Sequence, residues 1–152
     1  MRINWARVIL GGILAGVVIN VSEFILNGIV LKANWEEALK AAGKTMEPGP
    51  MTLPVWIGWS LLLGIAVVWL YAAIRPRYGA GPGTALRAGI AAWVFVHLTA
   101  GIANANLGLL PRRMIATSVA WTFGELVIAA LVGAWVYREP GYPQWRLHGL
   151  WQ

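Results

Sequence analysis

The sequence contains no cysteine and few charged residues, and each of these shortages excludes a class of protein. Without cysteine, the 152-residue chain forms no disulfide, performs no thiol redox chemistry and offers no thiolate to a metal. Charged residues make up 12% of the chain, against about 25% in soluble domains. Since 59% of the residues are hydrophobic, the composition predicts a membrane protein.

Four apolar stretches are each long enough to cross a hydrocarbon core of roughly 30 Å, at ~1.5 Å of rise per helical residue. The links between them are too short to hold a second core, and the short link at 108–111 requires an antiparallel hairpin. We therefore predict an all-α, polytopic membrane protein. An up-down-up-down bundle of four transmembrane helices forms one domain at 1–139, and an aromatic cytoplasmic tail follows at 140–152. The predicted spans are 8–31, 53–74, 88–107 and 114–137.

The basic residues predict how the bundle is oriented. More lysines and arginines fall on the side that holds both termini than on the other side, so we expect both termini in the cytoplasm. No run of Lys and Arg forms a continuous patch, which argues against nucleic-acid binding. Aromatic residues near the span ends fit the same placement. They are Trp5, Trp69, Tyr71, Trp135 and Tyr137 on the inner side, and Trp35, Trp56 and Trp59 on the outer side.

Two segments outside the spans carry further predictions. Asn34 is a candidate N-cap for a short outer amphipathic helix, and Gly43 is predicted to lie just past its end. The face of this helix that bears Trp35 either covers the mouth of the bundle or rests among lipid headgroups. The tail at 140–152 either adsorbs to the inner membrane surface or docks on another subunit of a larger membrane complex.

The first and fourth spans each carry a stripe of small and polar residues at helical spacing. An ionisable side chain at membrane depth is costly and normally faces a bundle interior, a cavity or a partner. Because these two helices run in opposite directions, polar residues meet polar ones and small residues meet small ones, so we predict that the spans pack together. The stripes are Gly12, Gly16, Asn20, Glu23 and Asn27 on the first span, and Ser118, Thr122, Glu125, Ala129 and Gly133 on the fourth.

Depth places three ionisable residues in one layer. Counted at ~1.5 Å per residue from the outer ends, Glu23, His97 and Glu125 lie at similar depths, with Asn20 and Thr122 nearby. This buried polar cluster could bind and release protons or hold a substrate, and His97 could keep a proton between the two carboxylates. Alternatively, the cluster only locks the helices in register through interhelical hydrogen bonds.

No motif for catalysis, metal binding or a cofactor accompanies this layer. Two carboxylates and one histidine lack the paired Glu-x-x-His spacing of di-iron bundles, and haem with two axial histidines needs a second intramembrane histidine, whereas His148 lies in the tail. Without a phosphate loop or a nucleophile motif, we expect no catalytic residues, no metal and no cofactor. Gly12-x-x-x-Gly16 is also typical of helix dimerisation, so a dimer contact there stays open.

Several segments carry a resemblance to a known group of proteins. They are Val21-Ser22-Glu23-Phe24 in the first span, the Trp35 helix, the stretch at 69–77 and the closing stretch at 133–139. Their layout resembles the small uncharacterised bacterial membrane proteins with four spans that are grouped as domains of unknown function. This resemblance covers roughly 5–139, and it implies the bacterial inner membrane and no activity.

A second, looser resemblance rests on Glu23 alone. The small multidrug resistance transporters are also four-helix proteins with a membrane-embedded glutamate in the first span. Two functions therefore stay open. The leading one is a structural or accessory subunit, or a binding module, organised around Glu23, His97 and Glu125 and embedded in the lipid bilayer. The alternative is a small proton-coupled transporter or channel, expected as a homodimer because four short helices rarely enclose a pathway alone.

Overall fold

Each of the four predicted apolar stretches forms a helix long enough and apolar enough to cross a membrane. We name these helices spans one to four: Trp5–Val30, Thr52–Tyr78, Pro82–Leu107 and Arg112–Val136. The computed structural model describes residues 3–44, 49–108 and 110–138, and no strand occurs within these ranges. The all-α prediction is therefore confirmed for the described residues. The predicted tail at 140–152 lies outside them, as does residue 139.

The spans contain the following elements in chain order. Span one is α1 (Trp5–Ile25) continued by a π-helical turn (Leu26–Val30), and the connecting helix α2 (Lys32–Ala41) follows it. Span two is α3 (Thr52–Tyr78). Span three is α4 (Pro82–Trp93), a second π-helical turn (Val94–Leu98) and α5 (Thr99–Leu107), and span four is α6 (Arg112–Val136).

Spans two and three extend beyond their predicted limits where they approach each other in the chain. Span two continues to Tyr78 and span three begins at Pro82, where the predicted limits are 74 and 88. Hydropathy marks the apolar middle of a helix, whereas the ends depend on backbone geometry. Pro82 occupies the first helical position, for which its fixed φ is suited. The short link is closed by the Thr84 hydroxyl, which donates to the Gly79 carbonyl at 2.8 Å.

Spans that follow one another in the chain run in opposite directions. Span one contacts spans two and four, span three also contacts both of them, and spans two and four contact each other across the bundle. The shared core consists of small and branched apolar residues, among them Ala15, Val67 and Leu126. The outward faces are apolar as well, and Phe24 and Phe95 are 69% and 74% exposed. A helix bundle that is apolar both inside and outside is typical of a membrane domain.

The tightest contact joins spans one and two through three glycines. A Cβ on Gly12 would meet the backbone of Ile65, and one on Gly16 would meet Leu61, both on span two. Gly64 lies between them and approaches the backbone of Gly12 and Gly16. We predicted that Gly12 and Gly16 face span four, but they face span two, so the predicted partner helix was wrong. Both glycines are buried within the chain, so this motif is not a dimer contact.

Spans one and four do pack together, but through neighbouring positions of span one. Gly133 lies against the carbonyl of Gly11 and the methyl group of Ala15, and Ala129 is fully buried in the same core. Small residues occupy two adjacent faces of span one. Residue spacing alone does not decide which of these faces meets which neighbour, because both neighbouring helices offer small residues.

The connecting helix α2 begins earlier than predicted. It begins at Lys32 and continues from span one after a break at Leu31, so Asn34 is an ordinary helical residue and the predicted N-cap was wrong. The predicted end at Gly43 is confirmed. Gly43 has φ +68°, and the Lys44 amide donates to the Leu39 carbonyl at 2.9 Å, as in a glycine-terminated helix.

Two tyrosines predicted near the inner membrane interface are buried within the protein. Tyr71 and Tyr137 meet edge to face with their ring centroids 5.8 Å apart. The guanidinium of Arg75, itself buried, lies 5.6 Å from the Tyr137 ring centroid. Amides of Asn4 and Gly81 donate to the Tyr137 and Tyr71 hydroxyls, both at 3.3 Å. These contacts therefore connect the C-terminal end of span four with spans one and two.

Replacing Gly64 with alanine should destabilise the bundle, because the new methyl group would overlap backbone atoms of Gly12 and Gly16. Overpacking of this kind costs roughly 1–3 kcal/mol, so the variant should unfold at a lower temperature in detergent. The matched control is Gly58→Ala on the same helix, where a Cβ meets nothing within 4 Å and alanine gains about 0.5–1 kcal/mol of helix propensity. Equal melting temperatures for the two variants would contradict the close approach.

Candidate functional site

Glu23, His97 and Glu125 come together between spans one, three and four. One carboxylate oxygen of each glutamate and one imidazole nitrogen of His97 all lie within 4.8 Å of one another. The depth count predicts this shared layer, although the three residues are far apart in the sequence. We call these residues the Glu-His-Glu cluster.

Glu125 is buried, which is unusual because glutamate side chains are mostly exposed. It is 4% exposed, and within the part of the chain that the structure describes neither of its carboxylate oxygens has a hydrogen-bond partner. The same holds for the buried Nε2 of His97. Most buried polar atoms are hydrogen-bonded, and an unpaired one costs free energy. The Ser22 side chain lies close enough to interact with this carboxyl group, but not in the geometry of a hydrogen bond.

Glu23 is half-buried and is held by a chain of two hydrogen bonds. The Asn27 amide donates to Glu23 Oε2, and the Asn27 carbonyl oxygen accepts from Trp35 Nε1 at 2.9 Å. Trp35 belongs to α2, so this connecting helix is tied to the cluster. Of the two placements predicted for the Trp35 face, the contact favours the one that covers the mouth of the bundle.

A further hydrogen bond joins spans one and four beside the cluster. Trp121 Nε1 donates to the Ser22 hydroxyl at 2.9 Å, and the Ser22 side chain lies next to the Glu125 carboxyl group. Neither Ser22 nor Trp121 was predicted as a site residue. The position of Ser22 beside Glu23 in the sequence was the available signal, whereas Trp121 offered none.

Both π-helical turns lie at the cluster. The turn Val94–Leu98 includes His97, and the turn Leu26–Val30 includes Asn27 and begins one helical turn after Glu23. A π-helical turn fits an extra residue into the helix and is frequent at functional sites. It also rotates the residues that follow relative to a regular helix. No feature of the sequence marks these turns.

A cavity of about 300 Å³ reaches His97 from the α2 end of the bundle. Its lining includes Trp35 and Trp56 at that end, and the polar residues Asn104 and Ser118. Since a water molecule occupies about 30 Å³ in the liquid, the space is large enough for several waters or a small solute. The cavity therefore gives access to His97, the one member of the cluster that lines it.

Asn20 and Thr122, which were predicted members of the polar cluster, direct their hydrogen bonds elsewhere. The Asn20 amide donates to the Gly16 carbonyl at 3.0 Å and to the Ile57 carbonyl at 3.5 Å. The Thr122 hydroxyl donates to the Ser118 carbonyl of its own helix at 2.9 Å. Asn20 therefore links spans one and two, and neither residue is hydrogen-bonded to the Glu-His-Glu cluster.

The cluster presents two carboxylate groups and one imidazole to a single small volume. These groups can exchange a proton with one another, and they can also bind a cation together. No protein-family model, curated protein or solved structure matches this chain. The two family resemblances therefore stay predictions, and the function has to be inferred from the geometry of the site.

Proposed function

We propose that the protein is a binding module of the bacterial inner membrane whose binding site is the Glu-His-Glu cluster. The observation that carries this proposal is the buried carboxyl group of Glu125, which makes no hydrogen bond within the described residues. A register lock acts through hydrogen bonds between helices. A buried carboxyl group without such bonds costs stability, so its presence is better explained by a ligand.

Access to the cluster supports the same proposal. The cavity connects His97 with the α2 end of the bundle. With both termini in the cytoplasm, as the basic residues predict, this end faces the outside of the cell. A small ligand would enter beside Trp35 and reach the cluster without crossing the lipid. The accessory-subunit prediction depends on the tail at 140–152, outside the described residues.

The first test asks whether Glu125 makes the ligand-free protein less stable than an apolar residue at the same position would. Glu125→Leu should raise the melting temperature of the ligand-free protein, because a buried polar group without a hydrogen bond costs about 1–3 kcal/mol of stability and leucine removes that cost. The control is Glu23→Leu, which loses the hydrogen bond from Asn27 and should bring no such gain. A large destabilisation by Glu125→Leu would show a structural role and refute the proposal.

The second test asks whether water reaches the cavity in a bilayer. Because the chain has no cysteine, single cysteines can be introduced without background. Ser118→Cys lines the cavity, whereas Ile128→Cys on the same helix lies on the exposed apolar face, which the proposal places in lipid. A membrane-impermeant maleimide should label Ser118→Cys in proteoliposomes and leave Ile128→Cys unlabelled. Equal labelling of both would refute water access through the cavity.

A small proton-coupled transporter or channel, expected as a homodimer, is the second candidate. The close approach of Glu23, His97 and Glu125 favours it, since acid-base groups within 4.8 Å of one another can pass a proton along.

Proton movement can be measured directly in liposomes loaded with a pH-sensitive dye. Under a potassium diffusion potential, the wild type should acidify or alkalinise the lumen faster than empty liposomes. The double variant Glu23→Gln, Glu125→Gln should abolish this flux while melting like a folded protein, because amides do not release protons at neutral pH. Wild-type flux equal to that of empty liposomes would exclude a proton channel, whereas a strictly coupled transporter moves protons only together with its substrate.

A further inference from the structure

The donor atoms of the Glu-His-Glu cluster favour one class of cation. Carboxylate oxygen and imidazole nitrogen together are typical ligands of Zn²⁺ and of other divalent transition metals. Mg²⁺ and Ca²⁺ prefer oxygen ligands alone, and Cu⁺ prefers the thiolates that this chain does not contain. The ligand set therefore selects a Zn²⁺-like dication.

The distances are close to those of a metal site. Two ligands that each lie roughly 2.1 Å from a metal are about 3.4 Å apart in a tetrahedron. The donor atoms of Glu23, His97 and Glu125 lie within 4.8 Å of one another. Closing the difference requires movements of the order of 1 Å.

A dication would also satisfy the unpaired atoms of the cluster. Two ionised carboxylates carry two negative charges, and one divalent ion neutralises both of them. The same ion would be a partner for the carboxylate of Glu125, which has no hydrogen bond within the described residues, and for the imidazole nitrogen of His97 that lies near both carboxylates. Buried charges in proteins are paired or bind metals. A bound dication would neutralise the two carboxylates and would also supply the contacts that Glu125 lacks.

The surroundings resemble the outer shell of a metal site. Asn27 donates to one oxygen of Glu23 and is itself held by Trp35. Such hydrogen bonds orient a ligating carboxylate. On the side of His97 the cavity leaves room for a water molecule or a substrate group as a further ligand.

From these observations we infer that Glu23, His97 and Glu125 form a mononuclear site for a Zn²⁺-like divalent transition metal. This inference rests on the proposed binding function and names its ligand. It differs from the prediction of no metal, which came from the missing Glu-x-x-His spacing. That spacing excludes a di-iron bundle, but it does not exclude a single ion whose ligands come from three separate spans.

The test uses the purified full-length protein in detergent, stripped with a chelator and titrated with zinc chloride. The wild type should retain one Zn²⁺ per chain after gel filtration. Glu23→Gln, His97→Gln and Glu125→Gln should each weaken binding at least tenfold while keeping the helical circular dichroism spectrum. Two matched controls should bind like the wild type: Glu36→Gln, an exposed acid on α2, and His148→Gln, which removes the other histidine of the chain.

Co²⁺ provides a second readout that does not depend on affinity alone. Co²⁺ bound with a low coordination number should give visible absorption bands. These bands should disappear in His97→Gln and persist in His148→Gln. Failure of the wild type to retain Zn²⁺, or unchanged binding in any two of the three cluster variants, would overturn the metal site. If Glu125→Leu is still stabilised and Ser118→Cys still labelled, the binding module stands with another ligand. If Glu125→Leu is destabilised, both proposals fail.

Discussion

The burial of the Glu125 carboxyl group without a hydrogen-bond partner among the described residues is the constraint on which the site depends. The four helices are long and apolar enough to cross a membrane, and helices that lie in a membrane gain no hydrophobic free energy by associating, so close packing has to stabilise such a bundle. The glycines of spans one and two supply that packing, since Gly64 approaches the backbone of Gly12 and Gly16. The protein thus separates its stabilising contact from its ionisable cluster, and only span one takes part in both.

Much of this arrangement can be predicted from the sequence because it depends on length and depth. Apolar runs give the four spans, short links give their alternating directions, and rise per residue gives the common layer of Glu23, His97 and Glu125. These quantities add up along a helix axis and are insensitive to rotation around it. Rotation is what the sequence left undetermined. Gly12 and Gly16 were therefore assigned to the wrong neighbour.

Other features depend on contacts between distant parts of the chain. The π-helical turns Leu26–Val30 and Val94–Leu98 consist of ordinary apolar residues with one Asn or one His, and no local preference marks them. Tyr137 is an aromatic residue of the kind found at membrane interfaces, but its contacts with Tyr71 and Arg75 bury it. The cavity likewise arises from the spacing of α2, α5 and α6 and has no counterpart in any one segment.

The hydrogen bonds from Trp35 to Asn27 and from Asn27 to Glu23 connect the surface helix α2 with the buried cluster. Linkage between two sites is reciprocal. If the cluster binds a ligand as proposed, and if binding changes the bond between Asn27 and Glu23, a displacement of α2 would alter ligand affinity and ligand binding would shift α2 by the same free energy. Trp35 would then place the state of a site in the bundle interior within reach of a partner at the surface.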